Sequence, residues 1–139
     1  MSNTSSFDYE FIEKELIPFL NETNKTLALD EFNRTFSDNL CRISDIGLVN
    51  HNRGFDAGCG LGNWYIPSTT LNQLVTGVDI EEQKLEASRK LANSMSISNL
   101  DFQKHSLTKL PFRNGEFDFI ICYSVIMYTD ADKELDELN

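Results

Sequence analysis

Cations, cysteines and long apolar runs are all scarce in this chain. Its 139 residues carry 12 Lys and Arg against 22 Asp and Glu, a net charge of −10. Nucleic-acid and anionic-membrane surfaces need clustered Lys and Arg, so neither is an expected partner. The three cysteines, Cys41, Cys59 and Cys122, stand far apart and in no metal-ligand spacing. They read as reduced, mostly buried thiols, and no metal site is expected. No apolar run approaches the roughly 18 residues that span a bilayer. The N-terminus is polar and acidic, unlike a secretion signal. These absences together predict a protein of the reducing cytoplasm.

Apolar residues at 40% and aromatic residues at 11% exclude a disordered chain. The length predicts one domain at most, or part of one. Phe11, Ile12, Leu16, Phe19 and Leu20 follow helical spacing, interrupted near its end by Pro18. Residues 21–33 are polar and read as a connection or a loose short helix. A further helix is predicted over 34–48, with Phe36, Leu40, Ile43 and Ile46 on one stripe.

The pattern then changes. Short segments rich in β-branched and aromatic residues fall at 53–57, 74–79, 100–104 and 117–123, and stretches between the first three can be helical. The clearest is 81–95, with Leu85, Ser88, Leu91, Ala92 and Met95 on one side. This alternation predicts an α/β fold with a parallel sheet and helices on both faces. The run from Phe117 to Tyr123 is nearly all apolar, as in an inner strand buried on both faces. Phe117, Phe119, Ile121 and Tyr123 are expected on one of those faces, Ile120 and Cys122 on the other.

The segment Phe55-Asp56-Ala57-Gly58-Cys59-Gly60-Leu61-Gly62-Asn63 carries the strongest chemical signal. A strand ends near Ala57, and three glycines follow at alternate positions. Missing side chains permit a tight turn and let backbone N–H groups approach a ligand. The helix that follows is expected to point its N-terminus at the same place. A dinucleotide turn wants its third glycine at position 63, which is Asn. The spacing therefore favours a nucleoside ligand without a pyrophosphate over NAD or FAD. Val75-Thr76-Gly77-Val78-Asp79 adds a strand ending in a carboxylate, 17 positions beyond Gly62. Such a carboxylate accepts hydrogen bonds from ribose hydroxyls, or alternatively caps the next helix.

With Leu110-Pro111-Phe112-Arg113-Asn114-Gly115-Glu116-Phe117-Asp118, these motifs resemble a class I S-adenosylmethionine-dependent methyltransferase of the small-molecule branch, over roughly residues 53–138. The resemblance implies a Rossmann-like parallel sheet with flanking helices. It implies a helical cap at 1–35, with the N-terminal part of the cofactor-binding domain at 36–139. It also implies S-adenosylmethionine as cofactor and a small-molecule methyl acceptor. Asp56, Gly58, Cys59, Gly60 and Gly62 would hold the methionine end, Asp79 the ribose, and Ile80 the adenine. Ser106, beside Leu107, stands where the family often has an Asp that accepts from the adenine amino group. Cys122 and Tyr123 would line the methionine end through their backbone. Tyr128 stands where the family often has His.

No catalytic residue is nominated. Asp8, Glu10 and Glu13 read as a solvated helix face, and His51 and His105 have no visible partner. The chain stops soon after Leu135-Asp136-Glu137-Leu138, where the family continues with a fifth strand and an antiparallel pair. The expectation is an incomplete domain, truncated after the fourth strand, with an open strand edge through which it self-associates. The alternative is a non-catalytic remnant that binds the cofactor weakly or not at all.

Overall fold

Four strands and a set of short helices make up this computed structural model, which describes residues 6–32, 36–122 and 137. The strands are β1 (Arg53–Ala57), β2 (Leu74–Asp79), β3 (Leu100–Lys104) and β4 (Phe119–Ile121). They pair in the order β3-β2-β1-β4, and all three pairings are parallel. Order therefore reverses beside β1, and the crevice at its carboxyl end is where open α/β sheets take ligands.

The helices are α1 (Tyr9–Phe11), α2 (Ile17–Phe19), α3 (Glu22–Glu31), α4 (Phe36–Asp45), α5 (Tyr65–Thr69) and α6 (Glu82–Ser94). A π turn over Ile12–Leu16 joins α1 to α2, with the Ile17 N–H donating to the Ile12 carbonyl. The turn lies just before Pro18, which has no N–H to donate. Of the two readings of 21–33, connection or short helix, the structure has the helix, the ten-residue α3. Asn21 caps it, its Oδ1 accepting from the Asn24 N–H at 2.8 Å. Apolar spacing gave little warning, because only Ala28 among its apolar residues is fully buried. The next helix ends at Asp45, leaving Ile46 71% exposed rather than on the buried stripe.

Right-handed crossovers place α5 and α6 on one face of the sheet. The core of that face joins Leu61, Tyr65, Ile66, Val75, Leu85 and Leu91 to Phe7, Leu16 and Phe36 of the N-terminal helices. Tyr65 locks two strands together. Its hydroxyl is 2.8 Å from the carbonyls of both Val75 and Asp101, and it accepts from the Asp101 N–H at 2.7 Å. The opposite face carries Phe55, Ala57 and Val78, covered among the described residues by the loop containing Leu107, Leu110, Phe112 and Phe117.

That loop corrects one expectation. The strand begins only at Phe119, so Phe117 does not share its face. Phe117 stacks on Phe55 at 4.8 Å, whereas Phe119 lies against His51 on the other side. The strand starts late because Asp118 turns the chain in. Its N–H donates to the Arg53 carbonyl, and its Oδ2 accepts from the N–H groups of Asn52 and Arg53. Ile120 is 41% exposed, so among the described residues β4 is not covered on both faces.

Candidate functional site at the carboxyl ends of the strands

The glycine turn leaves β1 and is held mainly by hydrogen bonds to the end of β2. The N–H groups of Gly58 and Cys59 donate to the Val78 carbonyl at 2.7 and 2.9 Å. Gly62 N–H donates to Cys59, and Gly60 N–H donates to Asp79 Oδ2 at 3.0 Å. The expected presentation of N–H groups to a ligand is therefore not seen at these four positions. Backbone conformation is what demands glycine at 62. Its φ is +95°, and a Cβ there would lie 3.0 Å from Ile66 Cδ1. Gly60 also has a positive φ, +54°, and it leaves space as well, since among the described residues a Cβ there would meet only Glu31 Oε1, 3.8 Å away. The helix after the turn, α5, has just five residues and starts at Tyr65. Ser68 and Thr69 bond back to the carbonyls of Tyr65 and Ile66, and Pro67 lies between them, which keeps it short.

Asp56 and Gly77 are paired in register, and Asp79 ends the neighbouring strand. Asp56 is 3% exposed, and no hydrogen bond reaches its carboxyl among the described residues. Burial first, then the charges of Asp79 and Glu31, push its pKa up to about 8. Asp79 is half-buried and bonded on both oxygens. Its Oδ1 accepts from the Glu81 N–H at 2.9 Å, and its Oδ2 takes the Gly60 bond. It thus shapes both the turn and the entrance to α6, whose N-cap position is Glu81. Beside it Ile80 is 67% exposed, an apolar lip at the rim.

Cys59 is buried, and burial first, then Asp56 and Asp79, pushes its thiol well up, against a nucleophilic thiolate. It packs where a Gly77 Cβ would stand, with its Sγ 3.0 Å from that point. Ser106 turns toward its own loop, its Oγ 2.8 Å from Thr108 Oγ1. His105 has a partner after all, Gln103 Oε1 at 2.9 Å from its Nε2. Leu107 places its side chain in the core beneath the sheet with Phe55 and Val78, not in the crevice. Cys122 is half-buried against the same group. Tyr123, Tyr128 and the helix expected near 135–138 lie outside the described residues, apart from Glu137.

One acidic group was absent from the sequence reading. Glu31, on the last turn of α3, reaches over Gly60, and its Oε2 is buried without a hydrogen-bond partner. Burial raises its pKa to about 7, with Asp79 and Asp30 adding to the rise and Lys84 opposing it. Nothing in the local sequence distinguishes this residue from a solvated glutamate. Its helix is tied to the site at the other end as well, where Asn24 Nδ2 donates to Glu81 Oε1 at 2.6 Å and Gln83 Oε1 at 2.9 Å.

Residues 55–138 match the family described as a methyltransferase domain. The chain belongs to that family. The magnesium-protoporphyrin O-methyltransferase of Synechocystis is 29% identical over 140 aligned positions, covering 79% of this chain and 60% of that protein. The crystal structure of the Synechocystis magnesium protoporphyrin IX methyltransferase with bound S-adenosylhomocysteine superposes with a TM-score of 0.62 at 21% identity. That superposition covers 93% of this chain and 64% of the other. The YcgJ protein of Bacillus subtilis gives a TM-score of 0.66 at 26% identity, over 73% of this chain and 44% of that one. The chain thus spans about half to two-thirds of these relatives' length. Fold and family agree with the resemblance read from the glycine turn, Asp79 and the Leu110–Asp118 segment. Among the described residues no helix is long and apolar enough to cross a membrane, and no cluster of metal-ligating side chains occurs.

Proposed function

We propose that this methyltransferase domain binds S-adenosylmethionine across the carboxyl ends of β1 and β2, and that the protein methylates a small molecule. One observation carries the reading. A buried carboxyl with no hydrogen bond among the described residues, Asp56, stands near the end of β1, two positions before a glycine turn that is itself bonded to a second carboxylate, Asp79. Such an orphaned acid suits the cationic amino group of the methionine end. Asp79 retains unused lone pairs for ribose hydroxyls, since each oxygen accepts only one backbone N–H. The open space at Gly60 suits close approach of the ligand.

The bound cofactor supplies a sulfonium, from which the methyl carbon passes to an acceptor atom while the carbon–sulfur electron pair stays on sulfur. The chain's part is alignment: it holds the two ends of the cofactor and keeps the methyl directed at the acceptor. An acceptor hydroxyl or amine also gives up a proton, and no residue is assigned as its base. The N-terminal helices, residues 1–35, act in this reading as the cap of the cofactor site. The outer edge of β4, with Ile120 exposed, is the surface through which the 139-residue chain self-associates.

Calorimetric titration with S-adenosylhomocysteine and, separately, with NAD tests the reading. Binding of S-adenosylhomocysteine alone is the expected result. Binding of NAD alone, or of neither, would remove it.

A further inference from the structure

The cofactor reading accounts for Asp56 and Asp79 but leaves Glu31 unexplained. This glutamate comes from the N-terminal helices, not from the sheet. The turn and α3 leave a slot between them, because among the described residues the only atom within 4 Å of a Cβ placed on Gly60 is Glu31 Oε1, at 3.8 Å. Glu31 Oε2 is buried and unbonded. Behind it stands Asp56, 3% exposed and also without a hydrogen bond among the described residues. Glu31 thus borders the slot with one carboxyl oxygen unpaired, and Asp56 is close enough for the two acids to act on each other electrostatically.

Among the described residues no cation pairs with either of them. Lys84 of α6 acts on Glu31 from a distance, but its Nζ is paired with Glu81 at 3.4 Å. Among the described residues the other charged groups bearing on Glu31 are Asp30 of α3, Asp79 of β2 and Asp56 of β1, all acidic. Buried carboxyl groups without a partner are costly, and usually either lose their charge or meet a cation. The helix cannot swing Glu31 out to water cheaply. Asn21 and Asn24 fasten its start to Glu81 and Gln83, and Phe32 buries its end in the core.

We propose that Glu31 is a ligand-binding group of the cap, whose carboxylate pairs with the ammonium of the bound cofactor and so ties α3 to the ligand over the glycine turn. The proposal rests on the cofactor reading above. In the free protein Glu31 holds a proton part of the time near neutrality, since its pKa stands at about 7. A cation in the slot favours the ionised form, so binding expels that proton. The contribution of Glu31 to affinity therefore rises with pH through about 7 and levels off above it. Asp56 behaves alike at about 8, so only part of the effect belongs to Glu31.

The test is calorimetric titration of the whole chain and of Glu31→Gln in two buffers of different ionisation heat at pH 7. S-adenosylhomocysteine and adenosine are the two probes. Adenosine lacks the ammonium-bearing end. Glu31→Gln should bind S-adenosylhomocysteine about tenfold more weakly, as expected for a lost charge-assisted hydrogen bond. It should release about half a proton fewer per ligand, from a group half-titrated at that pH. Adenosine should bind both proteins equally. A melting curve checks folding, and Glu31→Ala repeats the comparison with a smaller side chain. Equal affinity and equal proton release for S-adenosylhomocysteine in wild type and both variants would overturn the role of Glu31 alone. No binding of either probe to the wild type would overturn the cofactor reading, and this inference with it.

Discussion

The N–H of Gly60 donates to Asp79 Oδ2 at 3.0 Å, joining the turn after β1 to the carboxylate that ends β2. Asp79 thus does two jobs with one side chain. It holds the glycine turn in place, and its Oδ1 accepts from the Glu81 N–H at the entrance to α6. A ligand that meets Asp79 meets a turn already shaped by it.

Asp79→Ala should therefore lower affinity for S-adenosylhomocysteine by roughly tenfold or more. Hydrogen bonds to a charged group contribute about 1.5–3 kcal/mol each, and the variant also frees the turn. Isothermal titration of wild type and variant measures the change directly. An unchanged dissociation constant would remove Asp79 from the site.

The free protein should lose stability as pH rises from about 4 to 8. Asp56 and Glu31 have folded pKa values of about 8 and 7, above their ordinary 3.8 and 4.5. The folded state therefore binds protons more tightly than the unfolded state across that window. The stabilisation is complete below the ordinary values and is lost as pH climbs through the raised ones. Thermal melts at pH 5 and pH 8 should show the higher Tm at pH 5. Asp56→Asn should flatten the difference while weakening S-adenosylhomocysteine. A Tm that rises toward pH 8 would contradict the burial of these two acids.

Gly62→Ala should destabilise the fold more than Gly47→Ala. Both glycines have positive φ, +95° and +83°, so both variants are strained. Only at Gly62 would the new methyl press on packed atoms, at 3.0 Å from Ile66 Cδ1 and 3.3 Å from Ser88 Oγ. The Gly47 variant should cost about 1 kcal/mol and the Gly62 variant about 1–3 kcal/mol more. Urea unfolding of the pair gives both numbers.

Ile120→Lys should reduce self-association of the 139-residue chain. Ile120 is 41% exposed on β4, and a charge on an edge strand discourages pairing with another copy. Sedimentation or size-exclusion at several concentrations reads the change. A wild-type chain that stays monomeric throughout would end the proposal of an associating edge.

Residues 55–79 were legible because their signals are local. Three glycines at alternate positions after a β segment can hardly form anything but a tight turn. A carboxylate at the end of the next strand lies beside that turn in any right-handed parallel unit, which is why Asp79 was found. The same held for α6, where Leu85, Leu91 and Ala92 recur at helical spacing and are buried. Helix α3 stays only one of two readings in the sequence because its N-cap, Asn21, precedes a stretch with little apolar periodicity.

What the sequence by itself determined was the parallel α/β frame, the glycine turn and the pairing of that turn with Asp79. Each follows from backbone rules over a few neighbouring residues. Tertiary structure alone decided that the N–H groups of the turn are satisfied internally, that Phe117 and Phe119 part to opposite faces, and that Glu31 hangs over Gly60. Those outcomes depend on contacts between residues far apart in the chain. Glu31 and Gly60 meet only because α3 is fastened to Glu81 and Gln83, and no spacing within α3 encodes that distance.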